Sequence, residues 1–285
     1  MDLSVIIVNY NTKILLERCL DSINKFPPVG GYEVFVVDNA STDGSIEYLN
    51  NLDQPNNVIL NKDNAGFSKA NNQAISKAKG RYILLLNPDT EVLVDTLDKC
   101  IDYMDKHDDI GILGCKVMLP NGKLDLACRR GFPNLRNSFF KFTGFAKAFP
   151  KIKLFSGYNL TYLDEHKSYP VDSVVGAFMM LRRETIEEIG LLDEEFFMYG
   201  EDIDWCYRAK QAGWQVFYYA DASIIHHKRA SSKQNPKALV EFFRAMKVYY
   251  RKHHANKHNK FINEFVYASI DLLAYLKIFI NRFKK

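Results

Sequence analysis

The chain has 285 residues, 47% of them hydrophobic, enough for one large core or two fused smaller ones, and a formal net charge of only +4. Five scattered cysteines (Cys19, Cys100, Cys115, Cys128, Cys206) include no Cys-x-x-Cys pair, which argues against a zinc or redox motif and suits a reducing cytoplasm. No secretory leader is recognisable, and no charge-free apolar run approaches the roughly 20 residues needed to span a bilayer.

In chain order, "LSVIIVNYN" reads as a buried first strand and "TKILLERCLDSIN" as an amphipathic helix opened by Thr12. "YEVFVVDNASTDGS" is a second strand running into a turn, with a helix starting near Ser45. "VIL" at 58–60 is a short third strand, "GFSKANNQAISKAKG" a helix closed by Gly80, and "RYILLLNPD" a fourth strand. This alternation indicates a parallel, doubly wound sheet of nucleotide-binding type over the first half, to about Cys115. No glycine precedes Gly30, so the first strand-to-helix turn has neither a dinucleotide fingerprint nor a Walker-type phosphate loop.

From 116 to about 170 the pattern weakens. "MLPNGKLD" suits a hairpin turn, and an irregular, aromatic and basic stretch follows Arg129, either an acceptor-side loop region or a surface excursion. "VDSVVGAFMMLRRETIEEIG" returns to a buried strand and helix. Then come a loop, an acidic helix start at "GEDIDWCYR", a Gly213 cap and a strand ending in His226 and His227. After Ser231 the chain is helical, with Leu239, Phe242, Phe243, Met246, Tyr249 and Tyr250 forming one apolar stripe.

Charge is unevenly divided. From Lys228 to Lys285 fourteen Lys or Arg face three acids, a net of +11, which leaves the remainder at −7. With aromatic and apolar neighbours, this basic tail suits an anionic membrane interface better than a nucleic acid, with docking on the body or on a partner chain as the alternative.

Three polar groupings carry chemistry. In "LLLNPDTEV" an apolar run stops at Asn87-Pro88-Asp89, either an ordinary turn or a carboxylate held at the ligand-binding edge of a parallel sheet, where it can meet a phosphate through a metal ion. Glu201, Asp202 and Asp204 cluster at a helix start, where acids are favoured in any case. His226 and His227 close the later strand.

The segments "SVIIVNYN", "VVDNASTDGS", "NAGFSKANNQA", "LLLNPDTEV", "GAFMMLRRE", "GLLDEEFFMYGEDIDWCYR" and "IIHH", in this order, resemble family 2 glycosyltransferases, closest to rhamnosyltransferase-like members, over roughly Leu3 to Ser232. The resemblance implies an α/β fold of GT-A type: a Rossmann-like, mostly parallel central sheet flanked by helices, here with a C-terminal helical extension. It implies a nucleotide-sugar-binding half over residues 1–115, an acceptor-binding and catalytic half over 116–232, and a basic amphipathic helical tail over 233–285.

Residue by residue, it implies that Val8, Tyr10 and Asp38 form the base slot, with Asp38 accepting the imide N–H of uracil or thymine or else only capping a turn. Asn64, Gly66 and Phe67 would line the donor, Gly66 permitting close backbone approach, with Lys69 and Asn71 weaker candidates. Asn87 and Asp89 stand at the family's Asp-x-Asp motif, whose first Asp is absent here. Asp89 and His226 would hold Mn²⁺ or Mg²⁺, with His227 the alternative ligand. Asp202 would be the catalytic base, assisted by Glu201, with Asp204 and Arg208 on the acceptor side and Trp205 packing. Lys228, Arg229, Ser231 and Ser232 would close over the phosphates.

The activity so implied is inverting, metal-dependent transfer of a sugar, foremost L-rhamnose from dTDP-L-rhamnose, to a glycan or lipid-linked saccharide in cell-surface polysaccharide synthesis, at the inner face of the cell membrane. The alternatives are a UDP-hexose or UDP-N-acetylhexosamine donor, a non-catalytic nucleotide-sugar-binding module, and a glycoside hydrolase.

Overall fold

In the computed structural model, which describes residues 1–52, 57–228 and 236–282, the apolar runs bounded by turn residues are strands. β1 (Leu3–Asn9), β2 (Tyr32–Asp38), β3 (Asn57–Leu60) and β4 (Tyr82–Leu86) alternate with α1 (Lys13–Lys25), α2 (Ser45–Asn50) and α3 (Phe67–Ile75). Every residue of β1 and β4 is buried, as a parallel strand covered on both faces requires. The third helix ends at Ile75 rather than at Gly80. Gly80 serves contact instead, since a Cβ there would lie 2.5 Å from the backbone nitrogen of Ser4.

The second half continues with β5 (Thr90–Val92), α4 (Thr96–Asp105), β6 (Ile110–Met118), α5 (Leu135–Phe142), α6 (Phe145–Ala148), α7 (Lys153–Ser156), β7 (Tyr169–Pro170), β8 (Phe178–Arg182), α8 (Arg183–Ile189), α9 (Glu201–Gln211) and β9 (Gln215–His226). The strands form one nine-stranded sheet in the order β3-β2-β1-β4-β8-β6-β9-β5, with β7 also pairing β9. β1 to β4 are mutually parallel, and β6 and β9 share their direction across the reversed β8. The carboxyl ends of the parallel strands therefore meet the start of β8 along one edge, where ligands bind in sheets of this kind.

The hairpin turn forms as expected, with Leu119 N donating to Lys123 O at 2.8 Å. The stretch after Arg129 is not simply irregular: it folds into the three short helices α5 to α7. Asn134 caps the first by accepting from Asn137 N at 2.9 Å. Helices of four to eight residues are too short to display a helical period. All five cysteines are buried free thiols.

The helical extension divides into two parts. α10 (Pro236–His253) docks on the body, burying Ala245, Val248 and Tyr249 against Phe196. α11 (Lys260–Arg282) packs Val266 and Ile270 on Phe243 and Tyr250 of α10. Much of the basic charge of α10 is paired. Lys252 meets Asp193 at 2.7 Å and Glu195 at 2.9 Å, Arg251 meets Glu195, and Lys247 bonds Asp271 at 2.5 Å. The acidic body and the basic extension thus partly neutralise each other.

Burial pushes the Asp193 carboxyl up, but Lys252 and the Glu195 N–H outweigh it and hold it below its ordinary value. Lys252 and Arg251 depress Glu195 in the same way. Carboxylates depressed in the folded state add stability that is present above their unfolded values near pH 4 and is lost as pH falls through that range. The urea midpoint should therefore drop between pH 6 and pH 3, and Lys252→Met should flatten part of that dependence, by on the order of 1 kcal/mol or less because the pairs are partly exposed.

Candidate active site

Two polar clusters face the common edge. In the first, β5 runs antiparallel to the end of β9 with Thr90 opposite His226, and His227 N donates to Asp89 O at 2.8 Å. This pairing brings His226 Nε2 to 3.1 Å from Asp89 Oδ1. On the other side of the ring, Nδ1 lies 3.3 Å from Asp125 Oδ2. His227, one residue on, turns to Glu91 at 2.7 Å. Alternation along the strand therefore selects His226 as the partner of Asp89.

Burial would lower the His226 pKa, but its bonds to Asp125 and Asp89 raise it to about 9. Burial also pushes Asp125 up, yet His226, Lys228 and Ala127 N together hold it well below the carboxylate range. Among the described residues, no three His, Cys, Asp or Glu side chains form a ready-made metal cage. The donor set nonetheless fits a divalent cation. Two protein ligands about one coordination edge apart, with the histidine oriented through its second nitrogen by a carboxylate, suit an ion that completes its shell with phosphate oxygens and water.

The second cluster is built around Asp202. Tyr199 and Gly200 both take positive φ, 71° and 85°, in the turn that starts α9. Positive φ is uncommon for a tyrosine and marks strain held by the surroundings. Asp202 Oδ2 accepts from Arg130 Nη2 at 2.6 Å and from Gly176 N at 3.2 Å, while Oδ1 accepts from Ile203 N at 2.8 Å. Of the four lone-pair sites of a carboxylate, one on Oδ1 remains for a hydroxyl proton.

Glu201 is buried with Oε2 lacking a hydrogen-bond partner. Burial, reinforced by the Asp202 charge, drives its pKa well up. The two clusters meet through adjacent residues: Gly176 holds Asp202, and the next residue, Ala177, accepts from Asn87 N at 3.1 Å.

Residues 4–190 match the family model described as Glycosyl transferase family 2. The chain belongs to this family. It is similar to the N-acetylglucosaminyl-diphospho-decaprenol L-rhamnosyltransferase of Mycobacterium tuberculosis, 26% identical over 247 residues that cover 82% of this chain and 78% of the relative. It is also similar to the low-salt glycan biosynthesis hexosyltransferase Agl10 of Haloferax volcanii, 27% identical over 231 residues, 80% of this chain and 67% of the relative. Among solved structures, the mannosyltransferase PcManGT of Pyrobaculum calidifontis, in complex with GDP-Man and Mn²⁺, aligns with a TM-score of 0.61 at 17% identity, covering 98% of this chain and 72% of that one. The fold is therefore that of GT-A glycosyltransferases.

Several other expected site residues of this family 2 glycosyltransferase are held by contacts within the chain. Tyr10 is 48% exposed beside the sheet edge, free to offer a ring face. Val8 lies one residue beyond the last β1–β4 pair, Ile7–Leu86. Asp38 is fully buried, with Oδ2 accepting from Asn9 at 2.7 Å and Oδ1 from Ser41 N at 2.8 Å, so its geometry is that of the turn cap. Asn64 accepts from Gly66 N at 3.0 Å and from Asn39 at 3.3 Å.

The close approach at Gly66 is met within the chain. At φ 85° a Cβ would sit 2.7 Å from the Phe197 carbonyl oxygen, which itself accepts from Phe67 N. The Phe67 ring lies along Gly176, 3.6 Å from where a Cβ would stand. Asn71 is buried and bonds Phe67 O, while Lys69 is exposed.

Asp204 and Arg208 are built into the packing of α9 rather than into the cleft. Asp204 Oδ1 meets His253 of α10 at 2.7 Å and Oδ2 accepts from Arg208 at 2.9 Å, while Arg208 also bonds the carbonyls of Ile189 and Leu191. Trp205 is fully buried, as packing requires. Lys228 bonds Asp125 at 2.8 Å; Arg229, Ser231 and Ser232 lie outside the described residues.

Two functional groups escaped the sequence reading. Asp125 sits at the end of the hairpin turn, and Arg130 in an otherwise featureless Arg-Arg pair. Neither has a local signal, since both are recruited by pairing distant in sequence. Arg130→Met should leave the buried Asp202 without its counter-charge, costing about 3–5 kcal/mol in a urea titration. Arg130→Lys, which keeps the charge but not the rigid, planar guanidinium whose Nη2 donates to both Val174 O and Asp202, should recover only part of this.

Proposed function

We propose that the protein is an inverting glycosyltransferase that moves a sugar, foremost L-rhamnose from dTDP-L-rhamnose, to a saccharide or lipid-linked saccharide acceptor in cell-surface polysaccharide synthesis. The observation that carries the reading is the pairing of Asp89 with His226 at the carboxyl edge of the sheet, with Asp202 joined to the same edge through Gly176 and Ala177. The rhamnosyl assignment is supported by the similarity to the mycobacterial rhamnosyltransferase, whose name also specifies an N-acetylglucosaminyl-diphospho-decaprenol acceptor. The hexosyltransferase relative supports a hexose as the sugar moved, which is compatible with the second reading, a UDP-hexose or UDP-N-acetylhexosamine donor.

In this mechanism Tyr10 stacks on the base and the Phe67 loop borders the sugar. Asp89 and His226 hold Mn²⁺ or Mg²⁺, with Asp125 keeping the imidazole oriented. The bound ion supplies positive charge for the departing diphosphate. Asp202 takes the proton of the acceptor hydroxyl as its oxygen bonds the anomeric carbon, and the opposite bond to the diphosphate oxygen breaks with its electron pair. One displacement inverts the anomeric centre. Glu201, kept protonated, offers an O–H to a sugar oxygen. A buried, Arg-paired base set among its neighbours makes the non-catalytic module and the hydrolase readings weaker.

No helix among the described residues is long and apolar enough to cross a membrane. Peripheral association at the inner face of the membrane is part of the reading, aided by the exposed Phe261, Phe265 and Tyr275 of α11. The test is calorimetric titration with dTDP and UDP, each with and without Mn²⁺. Tighter, metal-dependent binding of dTDP is expected. A preference for UDP would move the assignment to the hexose donors, and no nucleotide binding in any condition would overturn it.

A further inference from the structure

From residue 126 to residue 163 the chain contains seven Lys or Arg, nine Phe or Tyr and no acid. Arg129 and Arg130 are buried and face inward. Arg136, Lys147, Lys151 and Lys153 are exposed, and among the described residues none of them pairs with a carboxylate, whereas Lys141 turns its ammonium onto the Tyr158 ring, 3.7 Å from the centroid.

The same segment exposes apolar groups: Phe139 is 58% exposed, Leu154 51%, Ile152 45% and Phe149 44%. Its helices hold together through rings. Phe155 lies 4.9 Å from Phe140, 5.3 Å from Phe149 and 5.8 Å from Phe145. Gly131, the residue after the Arg130 that grips Asp202, donates to Tyr158 O at 2.8 Å. The insert is therefore anchored directly beside the second site cluster.

We propose that the α5–α7 insert is a docking surface for an anionic lipid bilayer. Unpaired cations among exposed aromatic and aliphatic side chains satisfy both requirements of interfacial binding, attraction to acidic headgroups and a face that enters the acyl boundary. The exposed side of α11 is apolar as well, but the helix as a whole has only one more base than acid in its sequence, Lys260, Lys277 and Arg282 against Glu264 and Asp271. Charge complementarity therefore selects the insert as the lipid-selective element. The inference rests on the proposed function only in that a lipid-linked acceptor must be met at a bilayer.

The experiment is vesicle co-sedimentation of the full chain with phosphatidylcholine alone and with added phosphatidylglycerol, at low and high salt, alongside nucleotide titration of each variant. Wild type should bind the anionic vesicles, and salt should weaken the binding. Lys147→Glu with Lys151→Glu should weaken it at least about tenfold. Phe139→Ser should weaken it as well, and both variants should keep wild-type nucleotide affinity, which shows an intact fold. Phe261→Ser with Phe265→Ser on α11 should retain the preference for anionic lipid.

Unchanged vesicle binding by the insert variants would overturn the proposal. So would loss confined to the α11 variant, equal binding to neutral vesicles, or no binding by wild type. In each of these cases intact nucleotide binding would leave the proposed transferase standing.

Discussion

Asp202→Asn should bind the nucleotide as wild type does and lose about 10³-fold in transfer, because the amide cannot accept the acceptor proton while the donor cradle stays in place. Its neighbour supplies the control. Burial and the Asp202 charge keep Glu201 protonated, so Glu201→Gln preserves the donor character of the side chain and should cost less than about tenfold. Both are read from initial rates at saturating donor together with a calorimetric binding constant. Asp202→Asn also removes the charge facing Arg130, so some loss of thermal stability is expected, and retained nucleotide affinity separates this from unfolding. Equal transfer rates for wild type and Asp202→Asn would refute the assigned base, and a large loss confined to Glu201→Gln would shift the role to Glu201.

The parallel half of the fold was legible in the sequence because its strands are buried on both faces and its helices carry an apolar period. β8 was legible as a strand but not as a reversed one, since direction depends on where the preceding loop delivers the chain. The charge division between body and tail could be read directly. Its consequence could not, because Asp193 and Glu195 meet Lys252 only after α10 folds back. The apolar stripe of α10 was equally visible, but not its partners: Tyr249 meets Phe196, while Leu239, Phe243, Met246 and Tyr250 pack with Val266 and Ile270 of α11.

Motif residues were located by resemblance, while their partners were not. Asp89, Asp202 and His226 occupy recognisable segments, but Asp125 and Arg130, which orient them, lie in a weakly patterned region where a turn acid or a surface arginine would look the same. Gly66 illustrates the converse. The need for glycine was legible, yet the close neighbour is Phe197, more than a hundred residues away in sequence.

The metal assignment stands or falls on a set of four substitutions. Asp89→Asn and His226→Ala each remove one of two protein ligands, and both should abolish the enhancement of nucleotide binding by Mn²⁺ and reduce transfer to the level left after treatment with EDTA. Asp125→Asn touches no metal in the proposed site; by loosening the imidazole it should weaken Mn²⁺ about 10–100-fold while leaving metal-free nucleotide binding unchanged. His227→Ala should be nearly silent in every assay, because that ring turns away to Glu91. The contrast between the two adjacent histidines is the decisive element. Solvent-facing, unspecific binding of Mn²⁺ by any imidazole would make them equal, whereas a site built by the Thr90–His226 register makes one essential and the other dispensable. If His226→Ala kept full Mn²⁺ dependence, the ion would be held by Asp89 with phosphate oxygens and water, and His226 would have to be struck from the ligand set.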